Sequence, residues 1–349
     1  ALELGEQCLR LAQQMDNPVR LLGAYQAIGI SQFYLGGFSQ ARSHLEQALT
    51  LSDPQKHHFH ASRSGQDPRV ACLSHLVWTL WTQGYPDQAL KTGYQAIALA
   101  QELSHPLSLA QALIEDLRLR QHTREGEIVT KQSEELIALS TEHKFAFPLA
   151  WATFMRGWAV AEHGQREEGI AQMRQGLADH RATGAEGNRP HYLACLAETY
   201  GQIGQPVEGL NVLTEAMVGV DKTEEREYEA ELYRLRGELT LQQSKASLKQ
   251  VADKSQTSLG QVTTSQSRSQ TSLEAEAEEC FWKAIEIARR QQAKSLELRA
   301  VMSLSRLRQH QGKKDEARQL LAEIYGWFTE GFDTKDLQEA KALIEELSH

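Results

Sequence analysis

Three closely spaced histidines, His57, His58 and His60, are residues of a type that could bind a metal ion. Imidazole nitrogens ligate zinc and related ions, usually together with cysteine or carboxylate ligands at a fixed spacing. No such partner stands at a matching helical spacing, and neighbouring histidines on a loop point in different directions. The sequence therefore favours a solvated or loop-packing role for these histidines, and we expect no metal site.

Motifs that bind nucleotides or activate nucleophiles are missing from the sequence. There is no G-x-x-x-x-G-K-[ST], no G-x-G-x-x-G, no H-E-x-x-H and no G-x-S-x-G. Gly312-Lys313 lacks the upstream glycine of a phosphate loop and follows a predicted helix instead of a strand. We therefore expect a chain that is not an enzyme and has no cofactor.

The composition favours a helical protein without a basic surface. The 349 residues are 41% hydrophobic and include only 8 prolines, a balance that suits helices. The net charge of -9 argues against a nucleic-acid-binding face, and no apolar run is long enough to span a membrane. The four cysteines are far apart and form no C-x-x-C pair, which favours buried free thiols in a cytoplasmic protein.

Glycines and other small residues recur with a period of about 40 residues. The recurring glycines are Gly36, Gly84, Gly164, Gly204 and Gly312, and the small residues five positions after them are Ala41, Ala89, Gly169, Gly209 and Ala317. Glycine suits a tight turn between two helices. A small residue then lets the second helix approach the first, and neighbouring hairpins must stack to complete a core. The pattern predicts stacked helical hairpins.

The segment AYQAIGISQFYLGGFSQARSHLEQAL (24–49) resembles the tetratricopeptide repeat, and residues 196–217 and 303–324 follow it more loosely. Residues 156–177 and 320–347 are similar to the C-terminal repeat tails of bacterial multidomain signalling proteins, which carry nucleotide cyclase or kinase and AAA/STAND ATPase domains. The resemblance implies an all-α, right-handed superhelical solenoid of about seven hairpins.

Breaks in the period set the predicted organisation of a single repeat domain over residues 1–349. Residues 1–16 look like a truncated opening helix, and residues 334–348 look like a closing helix that caps the array. Residues 244–274 are rich in Ser, Thr and Gln, so we expect a disordered insertion there. The unit at 106–145 departs from the pattern, since Arg124 stands where the turn glycine should be.

In tetratricopeptide arrays the first helix of each hairpin lines a concave groove. The resemblance places ten side chains of particular interest there: Phe33, Tyr34, Trp78, Trp81, Arg118, Trp151, Phe154, Trp158, Glu198 and Arg234. Rigid aromatic anchors would give a bound segment its affinity, and the charged positions would orient it. In the alternative interpretation, which is the commoner role of tryptophan, the aromatic residues pack between successive hairpins.

Two functions from different classes remain open. In the first, the chain is a non-catalytic interaction or sensor module that binds a peptide, a partner domain or an effector in the groove. The partner could then belong to upstream domains of the same polypeptide. In the second, the chain is a structural arm that mediates self-association or autoinhibition of an attached nucleotide cyclase or ATPase. The sequence leaves the oligomeric state open.

Overall fold

The computed structural model describes residues 1–51, 65–255 and 263–349. Over these residues the chain forms sixteen α-helices and no strand. They are α1 (Leu2–Gln14), α2 (Pro18–Tyr34), α3 (Phe38–Thr50), α4 (Pro68–Thr82), α5 (Pro86–Glu102), α6 (Pro106–His122), α7 (Gly126–His143), α8 (Ala146–Glu162), α9 (Arg166–Ala182), α10 (Arg189–Gln202), α11 (Pro206–Thr223), α12 (Glu229–Ser255), α13 (Thr263–Gln291), α14 (Lys294–His310), α15 (Lys314–Tyr325) and α16 (Lys335–Leu347).

The helices α2 to α15 follow one another in chain order as seven helical hairpins, with α1 before them and α16 after them. The second helix of a hairpin also packs on the first helix of the next one, as α3 does on α4 and α5 on α6. The prediction of an all-α protein with about seven hairpins is confirmed.

The hairpin turns use a left-handed backbone residue, as the period predicts. Five of these residues are the recurring glycines, at Gly36 (φ 77°), Gly84 (φ 91°), Gly164 (φ 95°), Gly204 (φ 75°) and Gly312 (φ 77°). The third hairpin places Arg124 there, with φ 58°. An L-residue in this region is strained. The third turn therefore keeps the same geometry as the others but carries backbone strain that glycine would avoid.

Proline and cap residues fix where the first helices begin. Asn17 and Asp67 precede Pro18 and Pro68, and their side-chain oxygens accept hydrogen bonds from the first free N–H groups of α2 and α4. The Asn17 acceptor lies 3.1 Å and 3.2 Å from two such nitrogens. Proline at the first helical position has no N–H to satisfy. Asn17-Pro18 and Asp67-Pro68 therefore define the first residues of α2 and α4.

Small residues bring the two helices of a hairpin close together. A Cβ added at Gly176 of α9 would lie 2.6 Å from the backbone nitrogen of Phe154 in α8. One added at Gly169 would lie 2.5 Å from the Gly157 carbonyl oxygen. Real Cβ atoms do not come so close to a backbone, so these glycines are required by the packing of α8 against α9.

Contacts divide the described chain into two compact units. Unit 1 consists of residues 1–186 with the segments 291–295 and 328–338, and unit 2 consists of residues 187–290, 296–327 and 339–349. The single domain over 1–349 stays a prediction.

Within unit 1 the segment 328–338 packs at the start of α5. The Glu330 carboxylate accepts hydrogen bonds from the N–H groups of Asp87 and Gln88, both at 3.1 Å. The Gly331 N–H donates in return to the Asp87 carboxylate at 3.2 Å. The free N–H groups of α5 are thus capped by a residue more than two hundred positions further along the chain.

The disordered insertion over residues 244–274 stays a prediction as a whole, and described helices extend into it from both ends. The helix α12 continues to Ser255, and α13 begins at Thr263, while residues 256–262 lie outside the described residues. Continuing a helix that is already packed costs much less than starting one. The Lys, Gln, Ala and Leu residues after Ser244 are adequate helix formers, so the lack of large apolar residues does not end the helix.

Candidate functional site

Seven side chains from the first helices α2, α4 and α6 meet in unit 1. This aromatic cluster consists of Phe33, Tyr34, His75, Trp78, Trp81, Arg118 and His122. The Trp78 and Trp81 rings stack with centroids 4.8 Å apart, and His122 meets them at 4.2 Å and 4.7 Å. His75 meets the Phe33 ring edge-on at 5.7 Å. The cluster therefore joins three successive hairpins.

The cationic member of the cluster is fully buried. The guanidinium carbon of Arg118 lies 4.2 Å from the Trp78 ring centroid and 5.7 Å from that of Phe33, and Arg118 is 1% exposed. Cation–π attraction strengthens when water is excluded. The carbonyl of Arg118 accepts the Nδ1–H of His122 at 2.7 Å, which fixes the tautomer of that histidine.

Burial of the aromatic side chains bears on the two interpretations of their role. Phe33, Trp78 and Trp81 are buried, and Tyr34 is half-buried. Trp151, Phe154 and Trp158 lie further along on α8 and are buried as well. Side chains so enclosed contribute to packing, so the structure favours a role in holding the first helices together over direct contact with a ligand.

The charged predicted residues Glu198 and Arg234 lie in a second constellation, in unit 2. This ionic network consists of Glu198 on α10, Glu231, Arg234 and Glu238 on α12, and Arg299 and Ser303 on α14. Arg234 binds both oxygens of Glu231, at 2.7 Å and 2.9 Å, and reaches Glu238 at 3.3 Å. Its Nη2 lies 3.8 Å from Glu198. Three first helices are therefore joined by charge, as three others are by aromatic rings.

The network is buried at its base and open at its rim. The side chain of Glu231 is 3% exposed and that of Arg234 is 11% exposed, while Glu198 and Glu238 expose 36% and 33%. The Ser303 hydroxyl donates to Glu238 at 2.6 Å, and Arg299 lies 3.5 Å from Glu231. Each buried charge thus has an opposite charge beside it, which is the condition for burying ions at all.

The electrostatics follow from this arrangement. Burial alone would lower the pKa of Arg234, but the carboxylates of Glu231 and Glu238 raise the pKa well above its usual value. Burial raises the pKa of the nearby Tyr228 phenol, and Glu231 raises that pKa further. Arg234 stays a cation, and Tyr228 stays neutral at ordinary pH.

Two buried nucleophiles in the described chain lie beside a histidine, and both are closed, whereas the Thr130 hydroxyl, 3.5 Å from His163 Nε2, is exposed. The Ser108 hydroxyl lies 2.9 Å from His105 Nδ1 and accepts the Asp67 N–H at 2.8 Å. This trio caps helices, and Ser108 is buried. The Cys195 sulfur lies 3.6 Å from His191 Nε2; both residues are buried, and the His191 ring meets the Tyr228 ring at 5.0 Å. Neither buried nucleophile faces a cleft from which a substrate could reach it.

Metal and thiol predictions have mixed outcomes. Among the described residues no group of His, Cys, Asp and Glu could hold a metal ion, and His57, His58 and His60 lie outside those residues. Three cysteines are buried as predicted, but Cys8 is exposed, because it lies on a face of α1 that no described helix covers. In the described part of the chain no helix is long and apolar enough to span a membrane.

Two residues of the ionic network, Glu231 and Ser303, are not among those the sequence predicts for the groove. Glu231 and Ser303 do not fall on the positions that the repeat assigns to the groove. The spacing of Glu231, three residues before Arg234, was a usable signal, because residues three apart lie on the same side of a helix. Ser303 carried no such signal, since its contact with Glu238 joins residues 65 positions apart.

Comparisons with known proteins give only distant likenesses. No protein-family model matches the chain, and no curated protein does. Among solved structures, the apo form of RapI shares 11% identity, with 93% of this chain and 99% of that one covered, at a TM-score of 0.44. An IFIT1 monomeric mutant with Gppp-AAAA shares 13% sequence identity, with 92% of this chain and 72% of that one covered, at a TM-score of 0.49. The P58(IPK) TPR domain shares 15% sequence identity, with 99% of this chain and 97% of that one covered, at a TM-score of 0.27.

Proposed function

We propose that the chain is a non-catalytic protein-interaction module whose first helices bind a segment of a partner protein. The ionic network of unit 2 supports this most directly. Its base is held by the bidentate pair between Arg234 and Glu231, while the Glu198 and Glu238 carboxylates reach the surface. Charged groups held in place before a ligand arrives lose little entropy on binding.

The chemistry of the rim suggests the kind of segment that binds. Glu198, Glu231 and Glu238 outnumber Arg234 and Arg299 within the network. A carboxylate can accept several hydrogen bonds at once, so a lysine or arginine of the partner can add to those already made. A partner segment with basic side chains is therefore the expected ligand.

The aromatic cluster of unit 1 supports the same function by making the first helices rigid. Its rings hold α2, α4 and α6 in register through buried contacts, which keeps the first helices of unit 1 rigid. We propose that Phe33, Trp78 and Trp81 act in this way, and that Trp151, Phe154 and Trp158 do so on α8. A sensor role in a larger bacterial signalling protein, located in the cytoplasm, is proposed on the resemblance of the repeats alone.

The test is a selection of peptides on the intact chain followed by calorimetric titration of variants. A displayed peptide library should yield binders enriched in lysine and arginine. The Glu198→Gln/Glu238→Gln variant should bind them about 100-fold more weakly, because two charge-assisted hydrogen bonds contribute roughly 1.5 kcal/mol each. The control Glu316→Gln/Glu323→Gln, which removes two exposed carboxylates of α15, should bind within a factor of two.

Two outcomes would sink the proposal. One is a library that yields no binder at all. The other is a set of binders whose affinity falls equally in the site variant and the control, since binding would then follow overall charge. Circular dichroism of each variant shows whether the helices are retained.

A further inference from the structure

The third hairpin turn meets a distant segment of the chain through the residue that stands in place of glycine. Arg124 has a φ of 58° where five other hairpin turns have glycine, and glycine would remove this strain. Its guanidinium Nη2 lies 3.7 Å from Asp336 Oδ1, and its carbonyl accepts a hydrogen bond from the Lys335 ammonium at 2.8 Å. Strained residues persist where the surrounding structure holds them, and they cluster at functional sites. Arg124 therefore marks a contact that glycine could not make in full.

The same segment, residues 328–338, also packs at the start of α5, and we name it the strap. The Glu330 carboxylate accepts the N–H groups of Asp87 and Gln88, both at 3.1 Å, and the Gln88 side-chain amide donates to it at 3.0 Å. N–H groups in the first turn of a helix have no acceptor within that helix. The N-cap residue Tyr85 forms no side-chain cap hydrogen bond with them. The strap therefore completes the hydrogen bonds at the start of α5.

The shape of the strap fits α5 as closely as its charge does. Gly331 has a φ of 75°, a left-handed backbone that suits glycine. A Cβ added there would lie 2.0 Å from Cγ of Pro86, the first residue of α5. A side chain at this position would therefore force the strap away from the helix. The docking surface of the strap consists of Pro86, Asp87, Gln88 and Arg124, which belong to unit 1 together with the strap.

The ends of the strap are buried, whereas its middle lies at the surface. Phe328 is 6% exposed and Leu337 is 2% exposed, while Phe332, Asp333 and Lys335 are exposed. The hydrogen bonds and the ion pair of the middle are also at the surface, where each contributes little to stability. A segment held in this way opens locally at a small cost in free energy while its ends stay in place.

We propose that the strap is an autoinhibitory segment: its middle opens, and a partner segment with glutamate followed by glycine takes its place on the docking surface. The partner's carboxylate binds the free N–H groups at the start of α5, and its glycine passes Pro86. The positive end of the helix dipole adds to the attraction for an acidic residue. Because the strap is tethered, its effective concentration is high, and it excludes the partner until it opens. This acidic segment binds unit 1, and the proposal does not rest on the basic segment proposed for unit 2.

Hydrogen exchange resolved to single residues tests whether the strap opens as a unit. The amides of Asp87 and Gln88 are protected by Glu330, so their exchange reports the opening of the strap. Arg124→Gly relieves the strain of the third turn and removes the contact with Asp336. It should speed exchange at the two amides about threefold, which is the effect of losing an exposed ion pair. Unchanged exchange there would overturn the proposal, because Arg124 would then act on its own turn alone.

A peptide with the sequence of residues 328–338 tests the docking surface on the full chain. Fluorescence anisotropy should show that it binds the Glu330→Ala/Asp336→Ala variant about tenfold more tightly than the wild type, because loss of a capping side chain weakens the competing strap by roughly that factor. The matched control Glu345→Ala/Glu346→Ala removes two exposed carboxylates of α16 and should bind the peptide as the wild type does.

A second peptide tests which groups the docking surface recognises. In this peptide glutamine and alanine replace the glutamate and the glycine, and it should bind about tenfold more weakly, because the alanine Cβ meets Pro86. Circular dichroism of each variant shows whether the helices are retained. Equal affinities of the two peptides overturn the proposal. So does a weakened strap that binds the first peptide no better than the control, or that binds neither peptide.

Discussion

Replacing Arg234 with methionine should destabilise α12 by about 3 kcal/mol. Arg234→Met leaves Glu231, 3% exposed, without its bidentate partner. Breaking a buried ion pair from one side costs roughly 3–5 kcal/mol. Arg299 remains 3.5 Å from Glu231, which places the expected value at the lower end of that range.

The same helix offers a matched control. Arg236 lies two residues along and pairs with Glu276 at 3.4 Å, but its side chain is 43% exposed and that of its partner is 46% exposed. Arg236→Met should therefore cost less than about 0.5 kcal/mol, because exposed ion pairs contribute little. The double variant Glu231→Gln/Arg234→Met should recover at least half of the loss, since it also removes the unpaired charge.

Hydrogen exchange measured by mass spectrometry is the suitable assay, because it gives an opening free energy for peptides from α12 without assuming that the whole chain unfolds in one step. The reasoning is refuted if Arg234→Met and Arg236→Met lower this free energy equally. It is also refuted if the double variant is less stable than Arg234→Met alone, since the pair would then not account for the effect.

Two further predictions concern the hairpins and one buried thiol. Gly164→Ala should lower the free energy of unfolding by about 1 kcal/mol, because only its left-handed backbone is strained. Gly176→Ala should lower it by about 3 kcal/mol, because the added Cβ meets backbone atoms of α8. Equal losses in urea denaturation would contradict the packing argument. Burial, with help from the Asp67 carboxylate, raises the pKa of Cys72 to about 12 from 9.0. The neutral thiol therefore contributes stability that is complete below pH 9 and falls by about 1.4 kcal/mol per pH unit between pH 9 and pH 12. Between pH 8 and pH 10.5 the wild type should lose about 2 kcal/mol more than Cys72→Ala, and identical losses would exclude a buried thiol.

The hairpins could be predicted because their signal repeats along the chain. Gly84, Gly164 and Gly204 each need a left-handed backbone, and the structure has φ values of 75° to 95° there. Arg124 shows the limit of that signal, since the turn forms with a strained residue in place of glycine. The composition of residues 244–274 shows a related limit, because a helix that is packed at one end can continue through polar sequence.

The contacts of the candidate site could be predicted only in part. The register of the repeats places Arg234 and Glu198 on first helices, and the structure brings them together. It could not show that Trp78 would be enclosed by Arg118 and His122, since those contacts join different hairpins. Whether a side chain on the first helix of a hairpin faces solvent or a neighbouring hairpin depends on packing between residues far apart in the sequence.

The most direct test of the account is a hydrogen-exchange comparison of the chain with and without a bound basic peptide taken from the selection described above. The account predicts that protection within unit 2 increases on the first helices α10, α12 and α14, around Glu198 and Glu238. It predicts no change on the second helices α11 and α15. Protection that appears on α11 or α15 and leaves α10 and α12 unchanged would contradict it, because the partner would then bind a face that the ionic network does not form.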